Sequence, residues 1–171
     1  MKEFQKLKSS DIPHIDLYMD QVITILEQII ESYKVDQDEK IMTKTMVNNY
    51  VKSNLISKPI KKKYSRVQMM QLIMIYHLKG ILTLEELEIF FKNSINDCDN
   101  SLENLYQDFL QIHEEELEEA NLKVVQLYQK DKGQRIKEIM KIVIKADLNK
   151  KIAQNILKEM KELDENYSID V

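Results

Sequence analysis

Thr43-Lys44-Thr45-Met46-Val47-Asn48-Asn49-Tyr50-Val51-Lys52-Ser53-Asn54, followed by Ser57-Lys58-Pro59-Ile60-Lys61-Lys62-Lys63-Tyr64-Ser65, is the most informative stretch of this chain. Thr43 offers a side-chain oxygen to the free N–H groups at a helix start, and Asn54 suits the left-handed residue that often ends one. Between them Thr45, Asn48, Asn49 and Lys52 fall at i, i+3, i+4 and i+7, so they share one helical face. Val47, Tyr50, Val51 and Asn54 share another. Pro59 cannot continue a helix and restricts Lys58 as well, which makes residues 57–63 a loop. Ser65 caps the next helix, in which Val67, Met70, Leu72, Ile73, Ile75 and Tyr76 are candidates for burial, and Gly80 stops it. The pattern is helix, basic loop, helix, with the loop placed as the wing of a winged helix–turn–helix.

Charge singles out the same region. From Lys40 to Leu84 there is no Asp or Glu and there are nine Lys and Arg, while the chain as a whole carries −4, so the remainder sums to −13. A contiguous basic block in an acidic protein is a local field that attracts polyanions, and duplex DNA presents one phosphate charge per roughly 1.7 Å of axis. The block is therefore expected to bind nucleic acid. The alternative is a solvated basic face that only keeps helices soluble. Asn can pair bidentately with adenine in the major groove and Thr can touch a base edge or thymine methyl. This places Thr45, Asn48, Asn49 and Lys52 towards a groove, and Lys44, Lys58, Lys61, Lys62, Lys63 and Arg66 against phosphates. Two successive Asn residues in mid-helix, where Asn is a poor helix former, favour a functional reason for them. The rings of Tyr50 and Tyr64 are expected in the core.

Outward from this stretch the pattern stays helical. A first helix is expected after Ser10-Asp11 with Pro13 in its first turn, its stripe made of Ile15, Met19, Val22, Ile23, Leu26, Ile29, Ile30 and Tyr33. Thr83 and Glu86 form a capping box that opens a short helix through Phe91. Residues 93–100 read as the domain boundary, dividing the chain into a head over 1–95 and a helical region over 96–171. Ser101 is placed as the N-cap of a long helix to about Lys130. One or two more helices run through Leu163, with Asp147 as a restart. Their apolar stripes, among them Ile136, Ile139, Met140, Val143, Ile144, Leu148, Ile152 and Ile156, suit a self-contained bundle or dimerisation.

Composition sets the fold class. With two Gly and two Pro in 171 residues, the tight turns of sheet-rich folds are hard to supply, whereas Leu, Ile, Lys, Glu and Met abound. An all-α protein is expected. Cys98 is the single cysteine, so no intramolecular disulfide can form and a reducing, cytoplasmic setting fits. No run approaches the roughly twenty apolar residues of a membrane span, and Met1-Lys2-Glu3-Phe4-Gln5 lacks a signal peptide's apolar core.

No catalytic constellation is visible. His113-Glu114-Glu115-Glu116-Leu117 fails the zincin spacing because Leu117 stands where a second His is needed. A metal shared by His113 and Glu116 has no second pair to complete it. His14, His77 and Cys98 are scattered, and two isolated glycines cannot make a phosphate-cradling loop. The nine Met residues fit core filling better than a ligand pocket. Neither an enzyme, a cofactor nor a metal is expected.

The residues from Thr43 to Lys52, then Pro59 to Ser65, preceded by Asp16-Leu17-Tyr18-Met19-Asp20-Gln21-Val22, resemble the hallmark segments of a bacterial family known as a domain of unknown function, over roughly residues 10–95. That family in turn is similar to the DNA-binding domain of mercury-resistance-type (MerR-like) regulators. The resemblance implies a MerR-like winged helix–turn–helix. Met46–Tyr50 would stand in the recognition helix, Tyr64-Ser65 at the end of the wing, and Ile81–Leu87 at the entry of a second helical pair. It implies that Tyr50 contacts a phosphate, that Asn48 replaces a base-reading Arg, and that the chain dimerises through its C-terminal helices. The first helix and the 33–43 connection are longer than in that pattern. The expected function is sequence-specific binding of double-stranded DNA by a transcriptional regulator. The alternative is a helical adaptor whose basic segment docks an acidic protein partner.

Overall fold

A computed structural model describes residues 4–36, 38–95 and 101–167. Its elements are a 3-10 turn at Ser9–Asp11, β1 (Leu17–Tyr18), α1 (Met19–Ile30), a 3-10 turn at Glu31–Tyr33, α2 (Lys44–Lys52), β2 (Lys63–Tyr64), α3 (Arg66–Leu78), α4 (Leu84–Ile95), α5 (Leu102–Tyr128) and α6 (Lys132–Tyr167). The protein is mostly helical, as the composition requires. Among the described residues one small sheet pairs β1 with β2 antiparallel, Leu17 opposite Tyr64 and Tyr18 opposite Lys63.

The local signals locate most helix starts. Thr43 Oγ1 accepts the Met46 N–H at 3.2 Å. Ser65 and Gln68 exchange both bonds of a capping box, and so do Thr83 and Glu86. Ser101 Oγ accepts from Asn104 N–H at 3.2 Å.

The first helix is the main correction. It starts at Met19, not after Asp11. Ile12 precedes Pro13, which disfavours helical backbone at that position, and it is extended at φ −92° and ψ 120° with its side chain fully buried. Leu17 then enters the sheet, and Ile15, assigned to the apolar stripe, is 67% exposed. The restart expected at Asp147 is also absent: α6 is continuous, with Asp147 accepting from Lys151 one turn on at 2.7 Å. Of the expected boundary at 93–100, Asn93–Ile95 belong to α4 and residues 96–100, Cys98 among them, lie outside the described residues.

α3 is the central helix. Met69, Met70, Leu72, Ile73, Met74 and Ile75 are all buried, because α1 and α5 pack on different sides of it. Val22, Leu26 and Ile30 from α1, Val47 and Tyr50 from α2, and Leu87 and Phe91 from α4 complete the core. From the long helices only Tyr106 of α5 and Leu157 of α6 are buried among the described residues, with Leu102, Leu105, Phe109, Leu110 and Met160 partly buried against the same core. The core thus holds the start of α5 and the end of α6. The halves that meet at residues 129–131 contribute nothing to it.

Candidate functional site

α2 presents the two faces its sequence prescribes. Val47 is fully buried and Tyr50 is 5% exposed, while Thr45, Asn48, Asn49 and Lys52 all lie on the solvent side. The helix ends as expected, with Asn54 left-handed at φ 60°. The Asn54 N–H donates to the Val51 carbonyl at 3.3 Å and the Ile56 N–H to the Tyr50 carbonyl at 3.1 Å. The connection beyond it is anchored on α3: Gln71 Nε2 donates to the Leu55 carbonyl at 2.6 Å and Gln68 Nε2 to the Ser57 carbonyl at 2.7 Å. Both glutamines are buried, so these bonds replace water that the amides have lost.

Residues 60–63 make a hairpin turn. Lys63 N–H donates to the Ile60 carbonyl at 2.9 Å, and the two central residues, Lys61 and Lys62, have φ values of 50° and 66°. Positive φ at both centres is the type I′ signature, usually given to Asn-Gly. Two lysines held there carry strain of roughly 1–2 kcal/mol each. The conformation places two consecutive exposed lysines at the tip of the turn that leads into β2.

The start of α1 ties this hairpin to α2. Lys63 Nζ lies 5.0 Å from the centre of the Tyr18 ring, opposite it in the sheet. Two residues along, Asp20 forms an ion pair with Lys44 in the first turn of α2, between side chains that are 79% and 59% exposed. At that exposure the pair adds little stability, and it links the first turn of α1 to the first turn of α2. Lys52, Lys58, Lys61 and Lys62 are exposed and have no ion-pair partner among the described residues.

Two of the expected phosphate contacts fall elsewhere. Arg66 is turned inward. Its guanidinium donates to the Ile12 carbonyl, and to the Ser9 carbonyl and hydroxyl at 2.7 and 2.8 Å, so it clamps the N-terminal turn onto α3. Tyr50 lies in the core, where burial raises its phenol pKa, so its ring supports α2 from below. Lys79, the last basic residue of the acid-free segment, is also spent on the fold. It donates to the Ile41 carbonyl at 3.1 Å and lies over the Tyr76 ring, with its pKa lowered by burial and partly restored by Glu39.

The sequence reading missed the roles of Gln68, Gln71 and Tyr18. A signal existed only for Gln68, which sits three residues after Ser65 in capping-box spacing. Elsewhere, His77 and His113 form a T-shaped pair 5.0 Å apart within a cluster of Tyr33, Tyr76 and Phe109. Burial lowers the pKa of both, that of His77 to about 4 with His113 adding to the effect. No group of three or more His, Cys, Asp or Glu able to hold a metal occurs among the described residues.

Residues 7–109 match the domain of unknown function DUF1836, well over half of the chain. The chain belongs to the DUF1836 family. No curated protein and no solved structure matches it. The DUF1836 match contains α2, the hairpin turn and the whole of α3 and α4, and it continues into α5 to include Tyr106 and Phe109. No helix is long and apolar enough to cross a membrane among the described residues.

Proposed function

We propose that this protein binds double-stranded DNA in a sequence-dependent way, as a homodimeric bacterial transcriptional regulator with a MerR-like winged helix–turn–helix head. In this reading α2 is the recognition helix and the Ile60–Lys63 turn is the wing. Thr45, Asn48, Asn49 and Lys52 face the major groove, and Lys44, Lys58, Lys61, Lys62 and Lys63 neutralise phosphates. The observation that carries it is the pairing of an acid-free, exposed polar face on α2 with a turn that holds two lysines in left-handed backbone. A solvated surface has no need of that strain, whereas phosphates repay a fixed presentation of charge. Its cytoplasmic setting belongs to the same reading.

The first experiment is selection of bound sequences from a random duplex library with full-length protein near physiological salt. Enrichment of a palindrome whose half-sites lie about one helical turn apart is expected. Asn48→Ala with Asn49→Ala should then erase discrimination by about 1–3 kcal/mol per lost bidentate contact. Equal weakening on selected and random duplexes would remove base reading from those residues. Lys61→Ala, Lys62→Ala and Lys63→Ala together should weaken binding to every duplex and lower the salt slope, which follows the number of phosphates neutralised. An unchanged slope would take the wing out of the interface. If no sequence is enriched and an acidic protein competes as well as duplex, the adaptor reading stands instead.

A further inference from the structure

The hairpin that carries the basic turn sets three side chains in one row. Lys63 lies opposite Tyr18 across the sheet and opposite Ile60 across the turn. Directly opposed residues of a ladder point to the same face, so Tyr18, Lys63 and Ile60 stand side by side, an aromatic, a cation and an aliphatic. The Tyr18 ring is taken up by the Lys63 ammonium. Ile60 is 77% exposed, more than any other large apolar side chain between Lys40 and Leu84 among the described residues.

Lone exposed aliphatics are ordinary on protein surfaces. What sets Ile60 apart is its place. Lys58 precedes it, Lys61, Lys62 and Lys63 follow it, and Pro59 and the left-handed turn fix the backbone on either side. A bridge position favours a β-branched residue, but Thr would satisfy that and remain compatible with water. Strand geometry therefore accounts for the branch and not for the hydrocarbon. A phosphate does not account for it either, since the side chain offers neither a charge nor a donor.

We infer that Ile60 is a wedge: with the wing on DNA, it enters the minor groove beside the bases that α2 faces and presses between two stacked base pairs. This rests on the duplex-binding reading above and adds to it a contact that charge does not supply. The minor groove is about 6 Å wide and is bordered by the phosphates of both strands. An aliphatic side chain with cations before and after it in the chain matches that section, hydrocarbon for the base edges and sugars, ammonium groups for the two backbones. Ile is among the side chains that open base steps in this way. Removing its exposed surface from water favours the contact. The turn, closed by the Lys63 N–H bond to the Ile60 carbonyl at 2.9 Å, gives the wedge a fixed mount. Pyrimidine–purine steps such as TA and CA unstack most readily. The wing thus adds selectivity for such a step beside each half-site, separate from the bases that Asn48 and Asn49 face.

The test starts from the duplexes that the full-length natural chain selects from a random library. A TA or CA step at a fixed distance from the bases lost with Asn48→Ala and Asn49→Ala is expected among them. With 2-aminopurine replacing the adenine of that step, fluorescence should rise when the natural chain binds, because unstacking relieves its quenching. Ile60→Ala should abolish the rise and weaken binding to the selected duplex by about tenfold. Its salt slope should match that of the natural chain, since no charge is changed. Ile60→Leu should restore the signal. The side chain is exposed, so both variants should melt with the natural chain. A selected site without a flexible step, an unchanged fluorescence, or a rise that Ile60→Ala shares would overturn the wedge and leave the reading of α2 standing. No enrichment of any sequence would remove both.

Discussion

Lys61 and Lys62 show at single-residue scale how stability and presentation compete. Both sit in left-handed backbone, where Asn and Gly are far easier to place. Replacing them together, Lys61→Asn with Lys62→Gly, should therefore stabilise the protein, by about 1–2 kcal/mol in urea unfolding. The same substitution should weaken duplex binding, since two exposed charges leave the wing. Stabilisation with undiminished binding would mean that the lysines serve neither the fold nor a polyanion. Arg66 makes the opposite point. In the sequence it is one more cation in a basic block, and nothing local tells it from Lys62. Its three acceptors belong to Ser9 and Ile12, more than fifty residues away, so its role became visible only once the N-terminal turn was placed beside α3. Tyr50 was legible because its assignment rested on period: it is three residues from Val47, on the side of α2 away from the acid-free face.

Among the elements, legibility followed the range of the interactions that fix them. The caps at Thr43, Ser65, Thr83 and Ser101 are bonds across three residues, and each helix starts where its cap predicts. β1 and β2 are two residues each, and neither alternates long enough to read as a strand. Their pairing joins positions forty-seven residues apart in sequence, Leu17 with Tyr64. The contact of α3 with α5 is likewise long-range, and it encloses the His77–His113 pair. The charged and titratable groups around that pair are the Tyr33 and Tyr76 phenols, with the Lys6–Glu114 ion pair one residue beyond His113. His77 has its pKa lowered from 6.5 to about 4 in the folded protein. The unfolded chain therefore binds more protons between those values, and stability is complete above pH 6.5 and is lost as the pH falls towards 4. The loss from His77 alone is at most about 3 kcal/mol. Urea unfolding at a series of pH values should show this slope in the natural chain and a shallower one in His77→Phe. Parallel slopes would mean that the imidazole is solvated. Carboxylates such as Glu86, whose pKa is lowered mainly by the Thr83 N–H, add an acid sensitivity common to both proteins.

On the scale of the whole molecule, the division at residue 95 that charge and composition suggest is not the division that packing makes. Tyr106 is fully buried and stacks on Phe109 at a centroid distance of 5.9 Å, and both rings lie against the head. Leu157 and Met160 return from the far end of α6 to cover α4. The family match, which runs to residue 109, includes the first of these contributions and not the second. A fragment of residues 1–95 should consequently expose the side of α3 that α5 covers and fail to unfold cooperatively. Removing one large core side chain typically costs 3–5 kcal/mol, and this truncation removes several at once from a domain whose total stability is of order 5–15 kcal/mol. A fragment of residues 1–128 keeps α5 and loses only the α6 cover over α4. It should fold and melt below the full chain. Calorimetry of the two fragments checks this: cooperative melting of 1–95 at the temperature of the full chain would restore the sequence boundary. The expected order, with 1–128 folded and 1–95 not, makes α5 part of the head and leaves α6 as a cover over α4.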